Sequence, residues 1–505
     1  MTGGTETPVT TAPSRGEVEE SAGSPGASGG AIVALVCVGI FMTTLDTSIV
    51  NIGLPSIARA FHTPLTGTIE WVIIGYLVVV AGLLLSFGRL SDMVGRTPIW
   101  TAGLLLFTIG SGTCGAAPSL ALLILARALQ GVGSALILTT STAILTDAVA
   151  PEQRGRALGW SAAAISVGFS AGPTVGGLLT EYLSWRWIFY VNLPIGVGTI
   201  IATRRLLPRS PRKASQERFD PIGALLLGLG VASLCLGLSF GARWGWASPR
   251  FLGSVVFSVA LLIGAVFNER RVADPLIDLG LFRQPQFGSA LVSLILSMMA
   301  VFAVSFLMPF YFEELRGFST ARSGLLLTPF SLTIAVFSPL AGSLADRHGS
   351  RWMAPLGLAI AAAGLALLAQ TNATASIGDI AWRLCIAGIG QAFFVSPNIR
   401  EVMAAAPSTE QGQASGLLAT ARTTGQALSV SVAGAVFASL GGAAAGSELL
   451  ADRSQATLLG TPERGLQLVF VHALQEALLM CAAFAALGAV ISLIGRHSRP
   501  ARTGR

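Results

Sequence analysis

Two charged residues stand where a charge is expensive. Asp46 lies in FMTTLDTSIVNIGLP and Arg127 in LLILARALQGVGSALI, both otherwise apolar helical stretches. A guanidinium at such a depth costs at least about 2.5–3.5 kcal/mol on membrane-insertion scales. Gln130, Gly131 and Ser134 follow Arg127 at i+3, i+4 and i+7, so they form one small, polar helix face. Thr43 and Thr47 lie near Asp46 on its helix. Two chemistries are open to such residues. A buried Asp–Arg pair can bolt two helices together. A carboxylate near the membrane midplane can instead bind a proton from one side and release it to the other, with the arginine tuning its affinity.

The cost is set by the elements that carry these residues. Of 505 residues, 52% are hydrophobic and 11% charged, against about 25% charged in a soluble protein. The net charge of +7 sets 31 Arg and a single Lys, Lys213, against 25 Asp and Glu. A phosphate-cradling G-x-x-x-x-G-K-[ST] loop needs Ser or Thr after its lysine, and Ala214 follows Lys213. An ATPase domain within the chain is therefore excluded. So is a Schiff-base lysine in the membrane, because Lys213 lies in a basic, polar stretch. Cys37, Cys114, Cys235, Cys385 and Cys481 are scattered in apolar runs without C-x-x-C spacing, which indicates neither a metal site nor a disulfide framework. The arginines form no single patch, so nucleic acid is not an expected partner. No cofactor is expected.

Apolar windows of about 19 residues predict fourteen membrane spans, near 31–54, 69–87, 98–117, 119–141, 157–180, 187–204, 220–240, 251–268, 287–311, 323–344, 352–371, 379–399, 413–437 and 469–494. The expected fold is thus an all-α integral membrane protein. Its organisation reads as a disordered tail at 1–30, a six-helix bundle at 31–205, a basic loop with two extra helices at 206–286, a second six-helix bundle at 287–495 and a basic tail at 496–505. An even number of spans puts both termini on one side. Arginine is in excess on the loops of that side, most densely at 204–218, which marks it as cytoplasmic. The longest stretch left outside the spans, apart from the tails, is the loop around 438–468.

The two bundles are internal repeats. Gly88-x-Leu90-x-Asp92-x-x-Gly95 recurs 254 residues later as Gly342-x-Leu344-x-Asp346-x-x-Gly349. Pro55 and Pro309 share that offset, while Gly131 pairs with Gly388 and Gly155 with Gly412 at 257. These offsets set Ala300 opposite Asp46 and Leu384 opposite Arg127. The fold alone therefore does not demand the two charges. Repeated membrane halves usually flank a site reached alternately from the two sides.

Other motifs surround this pair. In the loop motif, Asp92 and Arg96 are four apart and can pair across a helical turn. Arg347 stands one residue after Asp346 in the second copy. The motif reads either as a latch between conformations or as a turn that fixes two helix ends. Gly168, Gly172 and Gly176 line one face of the fifth span, beside Pro173 and Gly177, and permit close helix packing. Arg422 is a further charge special to one half, since Ile165 is its counterpart. Gln130, Ser134, Arg422 and Asn398 are candidates for substrate contact or gating. Phe302, Phe306, Phe393 and Phe394 can line an apolar pocket or serve as core and lipid-facing packing.

Taken together, these stretches resemble the major facilitator superfamily and, within it, the fourteen-helix drug:proton antiporters, over about residues 31–495. GRLSDMVGR is similar to the family's loop motif, with Met93 and Thr97 in place of the usual basic residues. LILARALQGVGSA resembles the helix-4 motif, whose proton-coupling arginine falls on Arg127. GFSAGPTVGG resembles the antiporter motif of helix 5, and LDTSIVNIGLP the helix-1 motif with its acid at Asp46. WRWIFYVNLPIG at 185–196 is similar to a stretch of the fourteen-helix branch. The resemblance implies a major facilitator fold and proton-driven export of amphipathic drugs, antibiotics or secondary metabolites, without ATP, by a monomer in a bacterial plasma membrane whose lipid surrounds it. A narrow exporter of an endogenous metabolite, amino acid or siderophore is the alternative. A sensor would need a soluble output domain and an enzyme a nucleophile–base or metal cluster, and the sequence offers neither.

Overall fold

The structure is a computed structural model of the chain and describes residues 29–207, 220–272, 280–348, 352–407, 410–455 and 462–495. The expected tails, most of the 204–218 loop and Gly349 lie outside the described residues. The helices run α1 (Gly29–Ala60), α2 (Trp71–Val94), α3 (Arg96–Ala116), α4 (Leu120–Asp147), α5 (Arg154–Tyr182), α6 (Trp187–Tyr190), α7 (Asn192–Leu206), α8 (Pro221–Trp244) and α9 (Pro249–Arg271). They continue with α10 (Pro285–Phe310), α11 (Thr320–His348), α12 (Met353–Leu368), α13 (Ile377–Ala405), α14 (Gln411–Ser439), α15 (Gly442–Gln455) and α16 (Pro462–Ile494).

Each expected span falls on helix. Among the described residues, eleven helices are long and apolar enough to cross a membrane, and α14 with the start of α15 makes a twelfth, bent by 75°. The remaining two expected spans correspond to the short apolar α12 and to α6 with α7. Two boundaries differ from the sequence reading. The second span does not end at 87: α2 runs on to Val94, and Gly95 alone separates it from α3. Gly95 has φ +106°, a conformation that a side chain would disfavour, so one residue turns the chain. The loop expected around 438–468 contains α15, an alanine-rich helix that follows Gly441 at φ +80°.

Side chains start several helices. Ser119 accepts from the Leu122 N–H, Ser376 from Asp379, and Asp220 from both Ile222 and Gly223. These caps satisfy donors that the first turn leaves without partners.

The two halves pack alike. In the first, α1 lies on α5, α4 on α2 and α3, and α7 on α3; in the second, α10 lies on α14, α13 on α11 and α12, and α16 on α12. Helices α8 and α9 form a hairpin, with α8 against both α2 and α14. The halves meet along two seams, α5 with α11 and α2 with α14. We call the end where α1 and α10 begin the proximal face, and the end where they finish the distal face.

Candidate functional site

Asp46 and Arg127 meet. The Arg127 Nη1 donates to Asp46 Oδ2 at 2.6 Å, and the two side chains are 1% and 0% exposed. Helices α1 and α4 are thereby tied inside the first half. The other carboxylate oxygen, Oδ1, accepts from Gln130 Nε2 at 2.8 Å and from Asn192 Nδ2 at 3.0 Å. The guanidinium donates again to Gln130 Oε1 at 2.7 Å and, through Nε, to the Val72 carbonyl at 2.9 Å. Its carbon lies 4.3 Å from the centre of the Tyr76 ring, within cation–π range. The Tyr76 hydroxyl in turn donates to Ser134 Oγ at 2.6 Å. Asn192 also donates to Ser111 Oγ at 3.1 Å, and Ser111 donates to the Phe189 carbonyl at 2.8 Å.

Helices α1, α2, α3, α4 and α7 thus converge on one charge pair. A buried ion pair is stable only when hydrogen bonds satisfy its remaining lone pairs and protons, and this network supplies them. Gln130 and Ser134 belong to it, as their spacing on the Arg127 face requires. The sequence reading did not single out Tyr76, Ser111 or Asn192. The signal for Asn192 in the sequence is an amide within the apolar run FYVNLPIG.

The glycine-rich face of α5 closes two contacts. A Cβ at Gly168 would lie 2.9 Å from the Phe41 carbonyl oxygen, and one at Gly176 2.6 Å from the Ile49 side chain. Gly172 likewise abuts Ser48. These three glycines seat α5 on α1. Gly177 faces the other way, where a Cβ would meet the Thr320 carbonyl of α11 at 2.6 Å, and Pro173 abuts Gly324. The distal end of this seam is further closed by Thr174–Thr328 at 2.6 Å, by the Thr320 N–H on Glu181 Oε2 at 3.0 Å and by Arg59–Glu313 at 2.5 Å. Toward the proximal face, Gly155 and Gly159 of α5 and Gly342 of α11 border open space. The α5–α11 seam is therefore shut at its distal end.

In the loop motif, Arg96 Nη2 lies 3.8 Å from Asp92 across the expected turn. It also pairs with Asp147 and donates to the Ala143 carbonyl, both at the end of α4. Gly88 borders open space, while the Gly95 N–H donates to the Ser91 carbonyl at 3.0 Å. These contacts lie within the first half. In the second copy, Asp346 and Arg347 fall in the last turn of α11, with Arg347 exposed.

The remaining candidates are dispersed. Phe302 and Phe306 are core residues of α10, Phe394 is fully buried on α13, and Phe393 packs in a separate cluster with Ala341, Ala345 and Met353. They do not line one pocket. Asn398 is buried and donates to the Ala290 carbonyl, tying α13 to α10. Arg422 is half-buried in the middle of α14 and has no hydrogen bond or ion pair among the described residues. Between the proximal halves of α1 and α5 lies an apolar cleft of about 750 Å³, walled by Cys37, Phe41, Trp160 and Val167 with Arg156 at its rim. Its volume falls in the range of small-molecule sites, roughly 300–1,000 Å³.

Two matching bundles of helices long and apolar enough to cross a membrane, meeting along the α5–α11 and α2–α14 seams, form a secondary-transporter scaffold. The chain belongs to the Major Facilitator Superfamily, whose family model matches residues 36–430 and 290–503. It is 31% identical over 407 residues to the riboflavin transporter RibZ of Clostridioides difficile, covering 81% of this chain and 88% of that one. It is 35% identical over 406 residues to the multidrug resistance protein Stp of Mycobacterium tuberculosis, covering 79% and 74%. Among solved structures, a bacterial homologue of the human lysosomal transporter Spinster, inward-facing and unoccupied, matches with a TM-score of 0.66. It covers 94% of this chain and 98% of its own at 16% identity, and so shares the fold.

Proposed function

We propose that this protein is a proton-coupled antiporter that exports amphipathic small molecules by alternating access. One observation carries the reading: a fully buried Asp46–Arg127 pair in one of two otherwise matching halves. In this cycle Asp46 is the proton carrier. A proton on Asp46 Oδ2 removes the charge that Arg127 Nη1 holds at 2.6 Å. The guanidinium then leans on Gln130, the Val72 carbonyl and the Tyr76 ring, and the tie between α1 and α4 loosens. Loss of the proton restores the tie. Linking that local change to the α5–α11 seam couples proton movement to which face is open.

The energetics suffice. One proton descending 100 mV supplies about 2.3 kcal/mol, equivalent to a concentration ratio of roughly 50 at about 1.4 kcal/mol per tenfold. The proximal face is taken as cytoplasmic, in line with the arginine excess, and the membrane as the plasma membrane. The proximal cleft, with its apolar wall and single basic rim residue, suits an amphipathic solute arriving from the adjacent leaflet.

A second reading is a narrow carrier for one metabolite, and the kinship to a riboflavin transporter is what favours it. Both are tested by reconstituting the protein in liposomes and following substrate-dependent proton movement with ethidium and with riboflavin. Movement of ethidium against its gradient, driven by a pH difference and lost in Asp46→Asn, supports the antiporter. Full proton-driven transport by Asp46→Asn would overturn the role of Asp46. Movement of riboflavin alone would favour the narrow carrier.

A further inference from the structure

Glu70 closes a one-turn 3-10 helix at Gly67–Glu70, immediately before α2, and is wholly buried. Its Oε1 accepts the Gly67 N–H at 3.1 Å, while its Oε2 has no hydrogen-bond partner. No cation pairs with it among the described residues. Asp46, by contrast, has both oxygens satisfied and a guanidinium in contact.

The surroundings of Glu70 come from both halves and from the inserted hairpin. α8 contributes Ser239 and the Cys235 thiol, which has Glu70 as its charged neighbour. α14 contributes Gly434, with no charged group. A Cβ at position 434 would stand 2.8 Å from the Glu70 Cδ and closer still to Oε1. A side chain at 434 would have to displace the carboxyl from this place. The first half therefore inserts an acid into a socket in the second, at the distal end of the α2–α14 seam. At the proximal end of the same seam, Leu85 fills the equivalent space beside Gly416. One seam thus carries an ordinary apolar contact at one end and an acid at the other.

From this arrangement we infer that Glu70 is a second proton-binding site of the transport cycle. An isolated carboxylate charge in such a site is costly, whereas a protonated carboxyl is not. Glu70 holds its proton on Oε2 while seated against Gly434. When α2 and α14 part on the distal face, water reaches the carboxyl and accepts that proton. The proton is taken back from water before the seam closes. Closing the distal face thus requires protonation of Glu70. This inference rests on the proton-coupled reading above but assigns a different residue and a different step.

The test needs no substrate, because the proton is the ligand. In the full-length protein in lipid nanodiscs, spin labels carried on unnatural amino acids at Thr68 and Leu440, both exposed, would report the distal separation from pH 5 to pH 9. A single titrating group changes the ratio of open to closed populations by up to about tenfold per pH unit. Wild type should shift to the long distance as pH rises. Glu70→Gln keeps the shape and the acceptor for Gly67 but cannot lose a proton, and it should stay short throughout. Glu70→Asp should keep a pH response, and Gly434→Ala, which fills the socket, should stay long at every pH. A Glu70→Gln variant that follows pH as wild type does, or a wild type that does not respond to pH, would overturn the inference. Asp46→Asn separates the two readings: it should lose driven transport yet keep the Glu70-dependent distance change.

Discussion

Where the first half buries Asp46 and Arg127, the second half buries Ala300 and Leu384 at the corresponding positions, all of them 0–1% exposed. The helix packing around the two sites is the same. The second half ties α10 to α13 with a neutral hydrogen bond, Ser297 Oγ to Gln391 Oε1 at 2.8 Å. Gln391 stands at the position of Ser134 and Ser297 at that of Thr43, which makes the neutral tie a counterpart of the charged one. An apolar pair and a neutral bond are therefore enough to hold six helices in this arrangement. The ion pair of the first half is an addition, and a costly one. Replacing a buried ion pair by apolar residues of similar volume is often neutral or stabilising, while removing one partner alone is strongly destabilising.

The largest expected effect is on driven transport. Asp46→Asn keeps the volume and some of the hydrogen bonds but cannot carry a charge, and it should reduce proton-driven flux by at least about 100-fold, the scale of a lost general acid–base group. Ala300→Ser, the mirror change in the second half, should leave the flux within twofold. Flux measured under an imposed pH gradient in liposomes checks both.

Next comes stability. Arg127→Ala leaves Asp46 buried without its counter-charge and should cost about 3–5 kcal/mol, whereas Leu384→Met, which conserves volume, should cost under about 1.5 kcal/mol. Denaturant titration in detergent would read the contrast. The double variant Asp46→Leu with Arg127→Met, which makes the first half resemble the second, should recover most of that loss while remaining unable to couple. Recovery of coupling as well would break the comparison.

The smallest effects concern the supports. Asn192→Ala removes one of the two donors to Asp46 Oδ1 and should cost about 1.5–3 kcal/mol, as expected for a hydrogen bond to a charged group. Gln391→Leu with Ser297→Ala, which removes both partners of the neutral tie, should be nearly silent. The same unfolding measurement ranks the two.

The legibility of these features in the sequence follows their energetic cost. Asp46 and Arg127 stand out because a charge in an apolar run is rare unless something repays it. The spans and the repeat were legible because apolar length and glycine spacing are local properties. Asn192, Tyr76 and Ser111 were not. A neutral polar side chain in a helix is cheap enough to occur without meaning, and which helix it meets is decided 58 to 146 residues away. Glu70 was hidden for another reason. It precedes Trp71 at the edge of an apolar run, where an acid normally faces water, and only the packing of α8 and α14 over it makes it buried. The four phenylalanines could not be sorted in advance because an apolar ring gives no sign of whether it faces core, cavity or lipid. The helical continuation of α2 through Asp92 was also missed, since polar residues end an apolar window without ending a helix.

The Arg59–Glu313 contact joins residues 254 positions apart, the same offset that superposes the two repeats. A residue that touches its own counterpart sits on the axis relating the copies. Two identical charged side chains there would repel, so the positions had to diverge into opposites once both copies belonged to one chain. Neither half could now assemble with a second copy of itself through this point: one homodimer would face arginine with arginine, the other glutamate with glutamate. The distal contact thus records a loss of symmetry that commits the two halves to each other.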